Sequence, residues 1–375
     1  MKVESPIVIF AYSFPHKKSF DFISIMASKG FFNLLVIGAP KVELKNNGAK
    51  NSSNISLTET CDVQVLCSLL NIRFLECPHD DLEGISKAKA SIGAEIAIIS
   101  GARILGAEII KLFPMGVVNF HPGKIPETSG LDSYFYTIKT GSPMGITVHL
   151  IDKRVDAGKL IFFEKLPVGH GDTFDSLLNA LYLTQLRALG RYIDLFFGSD
   201  QEYMDIDRPK KNHPLENSEK GVVREGFDSW RMQQIGVQKD IENKFFDMCE
   251  QGSVSKVKKL VSDNMYLLCL KNCKGWSGII IAAFWQNEEL VRYLLEMGAD
   301  PNDCGNNGTS VLMYSKTKLI ENKSANLIIL SLLISRGADI DAKDNYGKTI
   351  FHYLDQNSQI GELITSYLNA SRAQN

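Results

Sequence analysis

Three residues of this chain have the types and the spacing of a proton-transfer site: Asn119, His121 and Asp156. Asn119 and His121 stand at i and i+2 in Val117-Val118-Asn119-Phe120-His121-Pro122, so on a strand both side chains leave the same face. An imidazole titrates near neutrality and gives or takes a proton, an asparagine amide donates to an oxyanion, and a carboxylate orients the imidazole and favours its charged form. Acyl transfer between nitrogens needs these functions: the incoming amine loses a proton, the carbonyl oxygen is stabilised, and the leaving nitrogen is reprotonated. The same residues also have a structural reading, as a strand end with a capping Asn, a backbone-bonded His and an Asp-Ala-Gly turn. His149, alternating with Val148 and Leu150, reads as a packed, hydrogen-bonded histidine.

Such a site needs a sheet edge to present it. From Pro6 to about Asp194, short apolar runs alternate with longer amphipathic ones, the pattern of an α/β domain with an open, mostly parallel sheet. The strand candidates Ile7–Phe10, Asn33–Ile37, Ile72–Leu75, Glu95–Ile99 and Val117–Phe120 are rich in Val, Ile, Leu and Phe, as strands covered on both faces are. Phe20–Ser28, Val63–Leu70 and Leu105–Leu112 read as helices between them, joined by right-handed crossovers. Gly145–Ile151 and Lys159–Leu166 read as an antiparallel pair at one edge, followed by a helix from about Thr173 to Phe197, which makes the sheet mixed. Asn119 and His121 then fall at the carboxyl end of a parallel strand, where clefts of open α/β sheets form, and Asp156 arrives from a loop. The polar stretch Asn46–Thr60 reads as a mobile surface loop, and Gly198 to about Lys239 as a connector with room for one small hairpin.

Length and composition set the outer limits. At 375 residues the chain has room for two or three domains. With 41 Lys+Arg against 43 Asp+Glu, the net charge of -2 creates no field that would gather a polyanion, so nucleic acid is not expected as a partner. The seven cysteines form no C-x-x-C pair and read as reduced thiols of a cytoplasmic protein, with no metal expected. No signal-like apolar core opens the sequence and no run reaches the roughly 18 apolar residues of a membrane span, so neither secretion nor membrane insertion is expected.

From Ile241 onward the sequence repeats. Gly275-Trp276-Ser277-Gly278-Ile279-Ile280-Ile281-Ala282-Ala283, followed by Leu290 to Asp300, resembles an ankyrin repeat; it recurs from Gly308 with Leu332 to Asp339, and begins again at Gly347. Gly275 to Gly308 is 33 residues and Gly308 to Gly347 is 39, so an insertion of six within Lys316–Ala325 accounts for the second spacing. Phe245 to Gly252 opens an earlier, degenerate unit. Trp276 and Trp285 stand where repeats normally carry small or polar exposed residues; an exposed indole there stacks on a nucleobase or, alternatively, packs between repeats. The domains expected are 1–197, an α/β catalytic domain; 198–240, the connector; and 241–375, all-α repeats.

The order Asn119-Phe120-His121-Pro122, Ile125-Pro126, the strand Gly145-Ile146-Thr147-Val148-His149 and Asp156-Ala157-Gly158 resembles the 10-formyltetrahydrofolate-dependent formyltransferases over roughly residues 90–190. The resemblance implies a Rossmann-like formyltransferase fold, catalytic places for Asn119, His121 and Asp156, and 10-formyltetrahydrofolate as co-substrate. It also implies a pterin held through backbone groups of Ser100, Gly101, Ala102, Arg103, Ile104 and Leu105, with Asp152 near the same pocket. The glycine-rich phosphate loop of the glycinamide ribonucleotide enzyme has no counterpart in Ala11-Tyr12-Ser13-Phe14-Pro15-His16-Lys17-Lys18, and nothing after Gly198 resembles the basic C-terminal barrel of the methionyl-tRNA enzyme. What remains is similar to sugar-nucleotide N-formyltransferases, some of which carry ankyrin repeats and act on dTDP-linked 3-amino-3,6-dideoxyhexoses for bacterial O-antigen. On that reading Tyr12, Lys17, Trp276 and Trp285 are candidates for substrate binding, the alternative for Lys17 being a solvated helix start. The partners are a small sugar nucleotide, a second ligand or a protein on the repeats, and a second copy of the chain through the connector. Competing readings are a degenerate folate binder whose repeats do the work, and a hydrolase in which water replaces the amine.

Overall fold

The structure, a computed structural model, describes residues 4–42, 62–154, 156–197, 203–206, 212–355 and 357–373. The loop expected at Asn46–Thr60 lies outside the described residues. The chain divides into two compact units, Met1–Ile235 and Gly236–Asn375.

In the first unit the elements follow as β1 (Ile7–Tyr12), α1 (Lys17–Ser28), β2 (Leu34–Ala39), α2 (Val63–Leu69), β3 (Arg73–Glu76), α3 (Leu82–Ile92), β4 (Ile96–Ile99), α4 (Ala107–Lys111), β5 (Val117–Pro122), α5 (Ser133–Lys139), β6 (Gly145–Ile151), β7 (Gly158–Lys165), α6 (Phe174–Arg191), β8 (Met204–Asp205) and α7 (Asn217–Glu225). The sheet order is β3-β2-β1-β4-β5-β6-β7-β8. Pairing is parallel from β3 to β5 and antiparallel from β5 to β8, the mixed, mostly parallel sheet that the apolar runs imply. The central strand β1 is wholly inside from Ile7 to Ala11, because helices cover both faces. One face packs Val8, Phe10, Leu35, Ile37 and Ala97 on Ile85, Ile109 and Phe113. On α1, Phe22 meets Phe120 of β5 edge to face, ring centroids 5.3 Å apart.

The described part of the stretch read as a connector is more regular than its composition implies. It holds α7 and the start of α8 (Phe227–Glu250), and the division between units falls inside α8. Val223, Phe227, Trp230 and Gln234 are buried at helical spacing, Trp230 Nε1–H donates to Ser142 O (3.1 Å), and Gln234 Nε2–H donates to Gly141 O (2.9 Å). A stripe one residue wide per turn is enough to dock a helix, though most of its other positions are polar.

The second unit continues with α9 (Val254–Asp263), α10 (Gly278–Phe284), α11 (Glu288–Glu296), α12 (Val311–Glu321), α13 (Ile328–Ser335) and α14 (Gln359–Arg372). The inserted residues lengthen α12 to 11 residues against 7 in α10, and widen the turn behind it. Gly298 and Gly337, which follow α11 and α13, take φ of 89° and 90°, the left-handed end that lets each helix stop.

Candidate functional site

Strand β5 is the seam of the sheet, parallel to β4 on one side and antiparallel to β6 on the other. Asn119 and His121 lie on it two residues apart, opposite His149 and Thr147 of β6. His121 is buried, 5% exposed. Its Nε2 lies 3.0 Å from Thr128 O, an acceptor only, so Nε2 carries a proton. Its Nδ1 faces Asp156 Oδ1 at 3.3 Å, and the other oxygen of Asp156 accepts the Gly130 N–H at 2.6 Å. Asp156 takes φ 48°, a left-handed conformation that Asp tolerates better than most residues, and so turns its carboxylate back toward β5. Burial pushes the Asp156 carboxyl up, but the hydrogen bond and charge of His121, then the Gly130 N–H and His149, win and hold it below its ordinary value.

Asn119 Nδ2 lies 3.2 Å from His149 Nε2, and His149 Nδ1 lies 3.1 Å from Ala157 O. Between β6 and β7, Val148 pairs with Phe162 while His149 pairs with Leu160, so Ile161 is the extra residue of a bulge beside the site.

A cleft of about 170 Å³ opens here. Its lining brings Ala102, Arg103, Ile104 and Leu105, after β4, together with Asn119, Asp152 and Asp156. Ser100 is not in that lining: its Oγ–H donates to Phe10 O (2.9 Å), and the Ser100 and Gly101 N–H groups both point at Phe10 O (3.0 and 3.1 Å). The N–H groups of those two residues extend the β4–β1 pairing, and the cleft lining begins at Ala102. Asp152 lines the cleft but spends its carboxylate on Arg154, accepting from its backbone N–H (2.7 Å) and from Nε (2.9 Å).

Tyr12 ends β1 and stacks on Phe14 (centroids 4.8 Å) with His16 at its edge (5.0 Å). Lys17 pairs within its own helix, its Nζ 2.7 Å from Asp21. In the second unit Trp276 is packed: Nε1–H donates to Tyr314 Oη (3.0 Å) and its ring meets those of Phe284 and Tyr314 at 5.1 and 4.9 Å. Trp285 is 49% exposed, with Lys318 Nζ 5.0 Å from its ring centroid. The residues beyond the sequence reading are Ile99, Ile151, Lys153 and Arg154 in the lining, and the backbone groups of Thr128, Gly130 and Ala157. Lys153 and Arg154, wedged between Asp152 and Asp156, carry the one signal a sequence could have offered.

Residues 75–191 match the family model for formyl transferases, and residues 245–344 match that for ankyrin repeats. The trifunctional purine biosynthetic protein adenosine-3 of Gallus gallus is 28% identical over 113 residues, 30% of this chain and 11% of the relative. A methionyl-tRNA formyltransferase of Porphyromonas gingivalis is 28% identical over 102 residues, 27% of this chain and 32% of the relative. The chain thus spans about a tenth and about a third of these relatives' lengths. A solved sugar N-formyltransferase from a Shewanella species aligns at 19% identity with a TM-score of 0.37, covering 57% of this chain and 77% of that one. Among the described residues no helix is long and apolar enough to cross a membrane. The chain therefore carries a formyl transferase domain, with ankyrin repeats following it in sequence.

Proposed function

We propose that this chain is an N-formyltransferase that moves the formyl group of 10-formyltetrahydrofolate to the amino group of a dTDP-linked amino-dideoxyhexose, a 3-amino-3,6-dideoxyhexose used for O-antigen. One observation carries the reading: Asn119 and Asp156, the latter paired with His121, meet the segment Ala102–Leu105 at a single cleft. In this mechanism the pterin lies along Ala102–Leu105 and the formyl carbon faces Asn119. The Asn119 amide N–H steadies the oxyanion that forms when the amine attacks, an interaction of about 2.7–4 kcal/mol in such sites. The Asp156–His121 pair takes the amine's proton, directly or through water, and returns it to the leaving nitrogen.

The sugar acceptor is favoured by two features. The turn Tyr12–Lys17 contains no glycine to wrap a phosphate with its backbone, and the described segment that follows the sheet in sequence is helical, α7 and α8, rather than a basic barrel. Tyr12 with Phe14 is then a platform for the sugar nucleotide, and the exposed Trp285 beside Lys318 is a second place for a nucleobase and its phosphates. The test is mass spectrometry across a panel of dTDP-amino sugars with 10-formyltetrahydrofolate. One sugar should gain a single formyl group, and His121→Ala should abolish that gain. An active His121→Ala variant would overturn the mechanism, and folate release without any acceptor would replace transfer by hydrolysis.

A further inference from the structure

We infer that His149 is a positioning residue that fixes which face of the Asn119 amide the reacting carbonyl meets; the inference rests on the formyl-transfer reading above. An asparagine amide offers either N–H or C=O to its surroundings, and only N–H donates to an oxyanion. His149 removes the choice in three steps. Ala157 O, 3.1 Å from Nδ1, can only accept, so Nδ1 carries a proton. The ring is fully buried, and burial first and the neighbouring His121 second push it down to about 4, against weaker pulls from Asp156, Ala157 O and Asp152; it is therefore neutral, and its second nitrogen bears a lone pair. That nitrogen, Nε2, lies 3.2 Å from Asn119, which must then turn Nδ2–H to it, since Oδ1 there would set two acceptors together. With one N–H so engaged the amide plane is fixed, and the other N–H is left for the cleft that Asn119 lines.

The arrangement is built into the backbone. Asn119 and His149 are direct cross-strand neighbours, and the acceptor that sets the tautomer belongs to Ala157, next to the Asp156 that engages His121. Two consecutive residues thus assign the two histidines different partners: a carboxylate for the one that handles protons, a carbonyl for the one that holds the amide.

The experiment compares His149→Phe and His149→Gln, each also made in an Asn119→Ala background, by kcat, KM and thermal melting. His149→Phe should lower kcat by about 10²-fold, as loss of one oxyanion donor does, with donor KM little changed. His149→Gln, whose Oε1 can accept at the place of Nε2, should recover most of that loss. In the Asn119→Ala background His149→Phe should cost nothing further, because its effect passes through Asn119. A wild-type kcat in His149→Phe, a Gln variant no better than Phe, or multiplying losses in the double variant would each overturn the inference. The ring itself gives a readout independent of turnover: ¹⁵N NMR should show His149 as the neutral Nδ1–H tautomer at about pH 6, where a free imidazole is largely charged. A charged ring or an Nε2–H tautomer overturns the inference even if no acceptor is formylated, whereas failure of wild type on every acceptor with the tautomer intact sinks only the functional reading.

Discussion

Replacing Asp156 by Asn removes one charge and leaves nearly everything else in place, since Asn Oδ1 can still accept the Gly130 N–H. What goes is the carboxylate 3.3 Å from His121 Nδ1, in a setting where the two side chains are 13% and 6% exposed. At that separation two unit charges attract by about 5 kcal/mol at an effective dielectric of about 20. Desolvation cancels much of this, and a charge-assisted hydrogen bond nets about 1.5–3 kcal/mol. If the carboxylate steadies a charged His121 ring in the transition state, that sum comes off transition-state stabilisation, and kcat should fall by about 10- to 150-fold with little change in acceptor KM. Stability supplies a second reading. The Asp156 carboxyl is held below its ordinary 3.8, so its pairing stabilises the fold above that pH and is lost as pH falls through the depressed value. Asp156→Asn should therefore melt below wild type at neutral pH, and the gap should close below about pH 4. Steady-state formylation and a melting series in pH check both; unchanged kcat, or a melting gap that persists into acid, would refute the role given to the carboxylate.

The remaining predictions concern the supports of the site. His149 is pushed down to about 4 from 6.5, so the unfolded chain takes up the proton first and stability should drain away as pH falls from 6.5 toward 4. Its share is about 3 kcal/mol, and His149→Phe should flatten that part of an acid-unfolding profile; His16, also pushed down to about 4, adds to the same slope and should be unaffected. Gly158 has φ 111°, and a Cβ there would lie 2.0 Å from Leu150 O, so Gly158→Ala should cost about 3 kcal/mol or more in denaturant unfolding. Trp276→Ala should lower the melting point of the repeat unit because it removes a packed ring and its hydrogen bond to Tyr314. Trp285→Ala should change stability by no more than about 0.5 kcal/mol, being half exposed, while weakening any nucleotide bound there.

The legible part of the molecule is the part whose signal lies in side chains. The parallel strands show as continuous apolar runs because both of their faces are covered, and the repeats show through spaced glycines and paired helices. Helix α8 is hard to read because its buried stripe, Phe227, Trp230 and Gln234, is thin and includes a polar residue. At the site, Asn119, His121 and Asp156 are visible as types and spacing, but the groups that set their chemistry are the Thr128 carbonyl, the Gly130 N–H and the Ala157 carbonyl. Every residue owns such groups, so no composition announces them. Ser100 illustrates the converse: it sits in the right motif, yet strand pairing consumes its N–H and Oγ–H.

The mixed sheet itself explains why the site lies where it does. The parallel neighbour β4 ends at Ile99, level with Asn119, while β5 runs on to Pro122, and this leaves a gap at the carboxyl edge, which Ala102–Leu105 lines. A second parallel neighbour would only widen that gap. An antiparallel neighbour runs back across it, so β6 lays His149 directly against Asn119, and the turn into β7 brings Asp156 to His121 and Ala157 to His149. The parallel side thus supplies room for a ligand and the antiparallel side supplies the groups that fix proton positions. Among the described strands, the change of direction at β5 is the place where both are available.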